Sequence, residues 1–248
     1  MQSLISFITD RGFLILFRAG IILGPMFLLF WVWKPSWLER FRIAQPKEIK
    51  PRYLKDLLLT IMGLLVYLIP IFSMGYLREK FGYSRFYLTI EEYGYGYFVL
   101  TIGYAMFVTD TWFYWMHRLM HKWSFLKASH AEHHKSYNVT PLTSYSFHIV
   151  EAIVNMLPFF IVTLTIPLHP QALFIFSMFG IVYLGYIHLG YDFAFEWRSR
   201  HPLFKWFYTS THHSLHHQYF DGNYGVYFTF WDKLMKTELK SQKTNSPR

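Results

Sequence analysis

Eight of the 13 histidines stand in three short groups whose spacing suits metal ligation. His117 and His121 are one helical turn apart in His-Arg-Leu-Met-His. His130, His133 and His134 read His-Ala-Glu-His-His, and His213, His216 and His217 read His-Ser-Leu-His-His. On a helix, positions i, i+3 and i+4 share a face, so each group is expected to aim its imidazoles at a common point. Gathering so many polar rings is costly unless a cation organises them and selects their neutral form. Eight ligands exceed the needs of one ion, about four for zinc and about six for iron. Two metal ions sharing the set is the expectation.

Composition narrows the metal. The chain has no cysteine, which removes thiolate zinc sites, iron–sulfur clusters and thiolate-ligated haem. A hydrolytic zinc site pairs His-Glu-x-x-His with an outer carboxylate, and no glutamate follows the first histidine of a pair here. Glu132, inside the second group, is a candidate base or a solvated contact. Soluble diiron sites use Glu and Glu-x-x-His, a pattern also absent. An all-histidine set beside apolar helices points to iron activating dioxygen against a greasy substrate.

Further residues join as candidates. His188 ends the last apolar run and is expected to reach the cluster as a ligand. His212, four residues before His216, is a candidate ligand or a partner behind one. His148 opens an apolar run with Glu151 on a nearby face and is a weaker candidate of the same two kinds. Ligating histidines need an acceptor on the second ring nitrogen. Asp110 is two turns before His117 on the same face, and Asn223 and Asp232 follow the third group closely enough to fold back. His169 and His201 each precede a proline in a loop and read as structural.

The elements that must position these rings are membrane helices. The chain is 53% hydrophobic and only 16% charged, against about 25% charged in a globular domain, so much of its surface is not expected to meet water. A span needs about 20 apolar residues. Runs at 12–33 and 57–77 qualify, and 93–109 is shorter but continues apolar into the first histidine group. Runs at 152–168 and 172–187 follow, separated by Pro-Leu-His-Pro as in a helical hairpin. The expected fold is an all-α integral membrane protein with four or five transmembrane helices, the last two a hairpin. The first run is expected to be a retained span and not a cleaved signal peptide. With the N-terminus outside, the inner loops hold most of the 24 lysines and arginines. The positive-inside rule then puts every histidine group in a cytosolic helical cap. The Asn138-Val139-Thr140 sequon is there too, hence expected to be unglycosylated. The net charge of +9 suits an anionic membrane surface, with no nucleic acid expected. Residues 1–92 form the N-terminal spans and a basic loop, 93–240 a catalytic domain, and 241–248 a disordered tail.

The ordered motifs resemble a known family. Asp110-Thr-Trp-Phe-Tyr-Trp-Met-His117-Arg-Leu-Met-His121, then His130-x-x-His-His134, then His213-x-x-His-His217 look like the fatty acid hydroxylase/sterol desaturase superfamily, and Asn223-Tyr-Gly225 with Trp231-Asp-Lys-Leu234 extends the match. The stretches 144–170 and 212–232 are most similar to the sterol C5-desaturase (lathosterol oxidase) branch. Two positions depart from that pattern: Ile149 follows His148 where the family has proline, and Lys236-Thr237 stands where it has Gly-Thr. The resemblance implies a non-haem centre of two iron ions, O2 as oxidant, and a sterol-like or other hydrophobic lipid substrate, with fatty-acyl or sphingolipid hydroxylation as the alternative. It further implies electrons from an external donor, a cytochrome b5-like protein or a ferredoxin with its reductase. The host membrane is the bacterial inner membrane or the endoplasmic reticulum. A divalent-metal transporter is the reading from another class, with its ligands expected near mid-membrane on broken helices. A membrane zinc hydrolase is a third.

Overall fold

Long apolar runs bounded by prolines and glycines set the helices. A computed structural model of the chain describes residues 4–43, 51–193 and 201–239, and the expected tail at 241–248 lies outside them. α1 (Leu4–Phe27) continues through a π-helical turn, Leu28–Trp33. α2 (Tyr53–Val66) and α3 (Leu68–Phe81) follow one another across Tyr67, and α3 stops at Gly82, whose φ of 64° closes the helix in the left-handed region. Then come α4 (Gly94–Met120), α5 (Ser124–His134), α6 (Ile149–Thr165), α7 (Pro170–Ile187), α8 (Ser210–Tyr219) and the short α9 (Phe230–Leu234). Among the described residues the only β pairing is isolated bridges.

Three stretches are long and apolar enough to cross a membrane: Thr9–Trp33, Tyr53–Phe81 and Pro170–Ile187. α6 is apolar but shorter, at 17 residues. The run at 93–109, expected to continue apolar into the first histidine group, is the first part of one unbroken 27-residue helix, α4, which ends at that histidine pair. The expected run at 152–168 ends as helix at Thr165. Residue 166 precedes proline, which disfavours helical backbone, and Leu168 forms an isolated bridge with Phe86, with Leu168 N–H donating to Arg85 O at 2.9 Å. Pro170 then supplies the first position of α7, where its missing N–H costs nothing.

The core lies where α1, α2, α6 and α7 meet, around Leu23, Leu64, Phe147, Met156 and Ile181. α4 packs on α6 and α7, and Trp112 Nε1–H donates to Val154 O at 2.9 Å across that seam. On α2, Thr60 Oγ1 donates to Leu142 O at 2.7 Å. One turn away Gly63 lies so close that a Cβ there would collide with the Tyr145 carbonyl. Gly63→Ala is therefore expected to destabilise the protein by about 1–3 kcal/mol through overpacking. A lower thermal midpoint in detergent is the readout, and an unchanged midpoint would refute so tight a contact.

Lys236 has φ 56°, a conformation costly for any residue with a Cβ. This is where the resembled family carries glycine. The turn it makes lets Thr237 N–H reach Asp232 O at 2.8 Å and Thr237 O accept from Asn223 N–H at 2.9 Å. Lys236→Gly is expected to stabilise the fold by about 0.5–1 kcal/mol, relief of strain less the added entropy of the unfolded chain. A thermal midpoint that fell on this substitution would show the strain is absent.

Candidate metal centre

The nine candidate histidines converge as two groups of imidazole nitrogens, each lying within 4.8 Å of one another. The first holds His117, His121, His130, His134 and His216, and the second His133, His188, His213 and His217. The expectation that each triplet serves one point is corrected. α5 sends His130 and His134 to the first group and His133 to the second; α8 sends His213 and His217 to the second and His216 to the first. Positions i and i+4 differ by only about 40° around a helix, whereas i+3 and i+4 are about 100° apart. A His-x-x-His-His triplet is thus built to feed two neighbouring points. The groups adjoin, with His134 and His217 ring centroids 4.5 Å apart.

The Nε2 atoms face inward. In the first group His117 and His130 are 3.0 Å apart, His130 and His134 2.9 Å, His134 and His216 3.1 Å, and His121 and His216 3.2 Å. In the second, His188 and His213 are 2.9 Å apart, His213 and His217 3.1 Å, His133 and His217 3.1 Å, and His133 and His188 3.5 Å. The Nδ1 side decides what those atoms carry. Nδ1–H donates to a backbone carbonyl in His117 (Tyr224 O, 3.0 Å), His133 (Ser146 O, 3.2 Å), His188 (Leu184 O, 2.9 Å) and His216 (Gly222 O, 2.8 Å). A neutral imidazole that donates from Nδ1 presents only a lone pair at Nε2. His133 and His188 therefore point lone pairs at each other, as do His117 and His130, whose Nδ1 meets Glu151 Oε1. A cation satisfies that arrangement, so the donor set fits metal ions.

Seven of the nine rings are buried, from 0% exposed for His216 and His217 to 3% for His117 and His130, while His121 and His134 are partly buried. Burial, then the neighbouring imidazoles, pushes the pKa values of His130, His134, His213 and His217 well below the ordinary histidine range. Burial also lowers His133, to about 4, against the opposing pull of its bond to Ser146 O. All are neutral at pH 7, the form that ligates.

The supporting contacts differ from the expected ones. Asp110 does not reach an imidazole: its Oδ1 accepts the N–H groups of Val226, Tyr227 and Phe228 at 3.3, 2.8 and 3.1 Å. Asp232 accepts Tyr224 N–H and Gly225 N–H, each at 2.9 Å. Asn223 accepts Leu239 N–H at 2.8 Å and donates to His212 O at 2.9 Å. These three side chains clamp the 222–228 segment, and that segment's carbonyls at Gly222 and Tyr224 receive the histidine protons. They act one step further out than expected. Backbone carbonyls carry no sequence signature, so the true acceptors are invisible in the chain.

His212 stays outside both groups. Its Nδ1 accepts Thr209 N–H at 3.2 Å and closes a capping box on α8. His148 caps α6 by accepting Val150 N–H at 3.3 Å and also lies outside them. His169 caps α7 and its Nε2 meets Leu88 O at 3.1 Å. Glu151, expected near His148, instead meets His130 Nδ1 at 2.7 Å with both side chains buried. An isolated carboxylate in an apolar helix was its signal, but the partner is 21 residues away. Asp56 gave no such signal. Buried on α2, it accepts Ser136 Oγ–H at 2.6 Å and Ser146 Oγ–H at 3.0 Å and so holds the loop whose Ser146 carbonyl orients His133.

Glu132 faces away from the imidazole groups into Arg52 (2.5 Å), Lys55 (2.9 Å) and Lys135 (2.5 Å). Partial burial pushes its pKa up, but the hydrogen bonds from Lys135, Lys55 and Arg52 outweigh that and hold it at about 2. It is an ion-pair anchor between α2 and α5.

Beside the histidines lies a largely apolar cavity of about 490 Å³, walled by α1, α4, α6 and α7 with Leu64 of α2 and Ile71 of α3. Phe113 and Phe147 line it and pack on the rings of His117 and His133, at centroid distances of 5.0 and 5.2 Å.

A sequence profile of the fatty acid hydroxylase family matches residues 102–237. The chain is 32% identical over 194 residues to lathosterol oxidase of Mus musculus, covering 77% of this chain and 63% of that protein. It is 33% identical over 190 residues to Delta(7)-sterol 5(6)-desaturase of Candida glabrata, covering 74% and 50%. The chain thus spans between half and two thirds of these relatives. No solved structure matches it.

Proposed function

The chain belongs to the fatty acid hydroxylase family, and from that membership we propose that it is a membrane-bound non-haem diiron oxidoreductase, using dioxygen and external electrons to hydroxylate or desaturate a lipid C–H bond. A sterol-like substrate is favoured by the sterol oxidase and desaturase named among its relatives. The observation that carries the reading is the division of nine neutral imidazoles into sets of five and four against an apolar cavity. Five nitrogen donors exceed the tetrahedral preference of zinc and suit iron, which takes about six ligands.

Bound iron supplies the oxidising power, with dioxygen, for attack on an unactivated C–H bond. The chain's own residues do the rest. The backbone carbonyls of Ser146, Leu184, Gly222 and Tyr224 fix ring tautomers and keep Nε2 free for ligation. Phe113 and Phe147 stand between the rings and the cavity and keep that boundary dry. The apolar wall orients the lipid. Hydroxylation and desaturation then differ by which hydrogens the bound pose presents. Inner loops rich in lysine and arginine support a cytosolic position for the centre, where a soluble or peripheral electron carrier has access.

Two measurements bear on this. Mass spectrometry of lipids from a host producing the protein is expected to show an oxidised lipid that is absent with the His213→Ala variant and absent without dioxygen. Anaerobic turnover would instead fit the hydrolase reading. Because burial holds the rings neutral until about pH 4 for His133, protons compete poorly with the metal. Metal content is expected to stay constant from pH 8 down to about 5, where a site of ordinary histidines, with pKa about 6.5, would already be emptying. Loss centred near pH 6.5 would contradict it.

A further inference from the structure

The apolar cavity is not uniformly apolar. Its only charged lining residues are Arg11 and Arg18, on one face of α1 two turns apart, and no carboxylate lines it. Arg18 lies within the apolar stretch Thr9–Trp33, is half-buried, and lays its guanidinium 4.8 Å from the Phe174 ring centroid. Among the described residues no carboxylate pairs with either arginine. An ionisable residue inside a span marks a functional site by default, and arginine keeps its charge and its fork of donors in any surroundings.

The position of this charge along the cavity is fixed by two contacts. α1 and α7 run side by side in the same direction, with Arg18 beside Phe174 and, further on, Leu23 and Met26 beside Gly185. The histidine end of the cavity is marked by Leu184, whose carbonyl receives the His188 proton. Ten helical residues separate Phe174 from Leu184, a rise of about 15 Å. The cationic end and the oxidising end are therefore at opposite ends of one cavity. Asn155 lies in the same wall, and its buried Nδ2 has no hydrogen-bond partner. The wall offers donors and cations but no anion.

We propose that this cavity takes an amphipathic lipid whose anionic group, a carboxylate, sulfate or phosphate ester, seats against Arg18 and Arg11 about 15 Å from the carbon presented to the histidines. The proposal rests on the lipid-oxidase reading and names its substrate class: an acidic lipid in preference to the neutral one of the same skeleton. Arg18 is the specificity residue.

The test is binding, read without dioxygen or an electron donor, so that a failure of the oxidation chemistry leaves it intact. The full chain in phosphatidylcholine nanodiscs is titrated with cholesterol sulfate and with cholesterol, and bound lipid is counted by native mass spectrometry. The wild type is expected to bind the sulfated probe about tenfold or more tightly than the neutral one. Arg18→Gln is expected to bring the sulfated probe down to the neutral level, and Arg18→Lys to restore part of the preference. Continued binding of cholesterol shows that the variants fold. Equal affinities in the wild type, or an intact preference in Arg18→Gln, overturn the proposal. So does a preference abolished by adding phosphatidylglycerol to the disc, since the arginines would then be holding leaflet headgroups.

Discussion

His216→Ala is expected to yield a protein that inserts and folds but loses metal and falls at least about 100-fold in turnover. His216 joins the first group more closely than any other ring from α8: its Nε2 lies 3.2 Å from that of His121 and 3.1 Å from that of His134, and its ring centroid is 4.3 Å from that of His117. It is also the one ring through which α8 reaches the first group. Removing a group behind a ligand already costs about 10–100-fold in metal affinity or activity, and losing the ligand itself costs more. The variant also leaves the Gly222 carbonyl without its donor. Metal analysis of the purified protein beside an activity assay checks this. Full turnover from His216→Ala would mean that the first group is not where the chemistry happens.

The second large effect is expected at Glu151. Its Oε1 lies 2.7 Å from His130 Nδ1, and at 1% and 3% exposure water cannot replace it. A carboxylate behind a metal-bound histidine fixes the ring and makes its far nitrogen a better donor. Glu151→Gln keeps the size and an acceptor oxygen but removes the carboxylate, and about 10–100-fold weaker metal retention is expected. Glu151→Leu removes the acceptor too and is expected to do worse. The readout is iron retained against a chelator, together with kcat. KM should move little, because Glu151 touches His130, a proposed ligand, and is not in the cavity lining. Equal metal retention in wild type, Glu151→Gln and Glu151→Leu would reduce the pair to packing.

The site was legible in the sequence to the level of which rings and no further. Histidines are rare enough in apolar surroundings that three groups of them stood out, and His188 was readable from its place at the end of a span. How each triplet divides was not. That depends on where α4 and α7 stand relative to α5 and α8, a tertiary relation with no trace in local spacing. The contacts behind the ligands were half legible. Asp110, Asn223 and Asp232 were visible as polar residues in the right places, yet they act on backbone N–H and carbonyl groups, which every residue possesses. Glu151 was visible and given the wrong partner, because helical proximity to His148 was evident and the long-range approach to His130 was not. Asp56 and Ser146 gave no signal at all, since a short acid and a serine look like loop polarity. For the fold, hydropathy found the long apolar helices, including the apolar continuation of α4 into the first histidine pair. It also overran the end of α6, where proline at 167 should have stopped it.

The most direct test of the proposed two-iron centre is elemental analysis with Mössbauer spectroscopy of the full chain purified from cells grown on 57Fe. About two high-spin irons per chain with nitrogen and oxygen ligands are predicted, one for each imidazole group. A preparation fully active with zinc in place of iron, or with a single metal per chain, would contradict it.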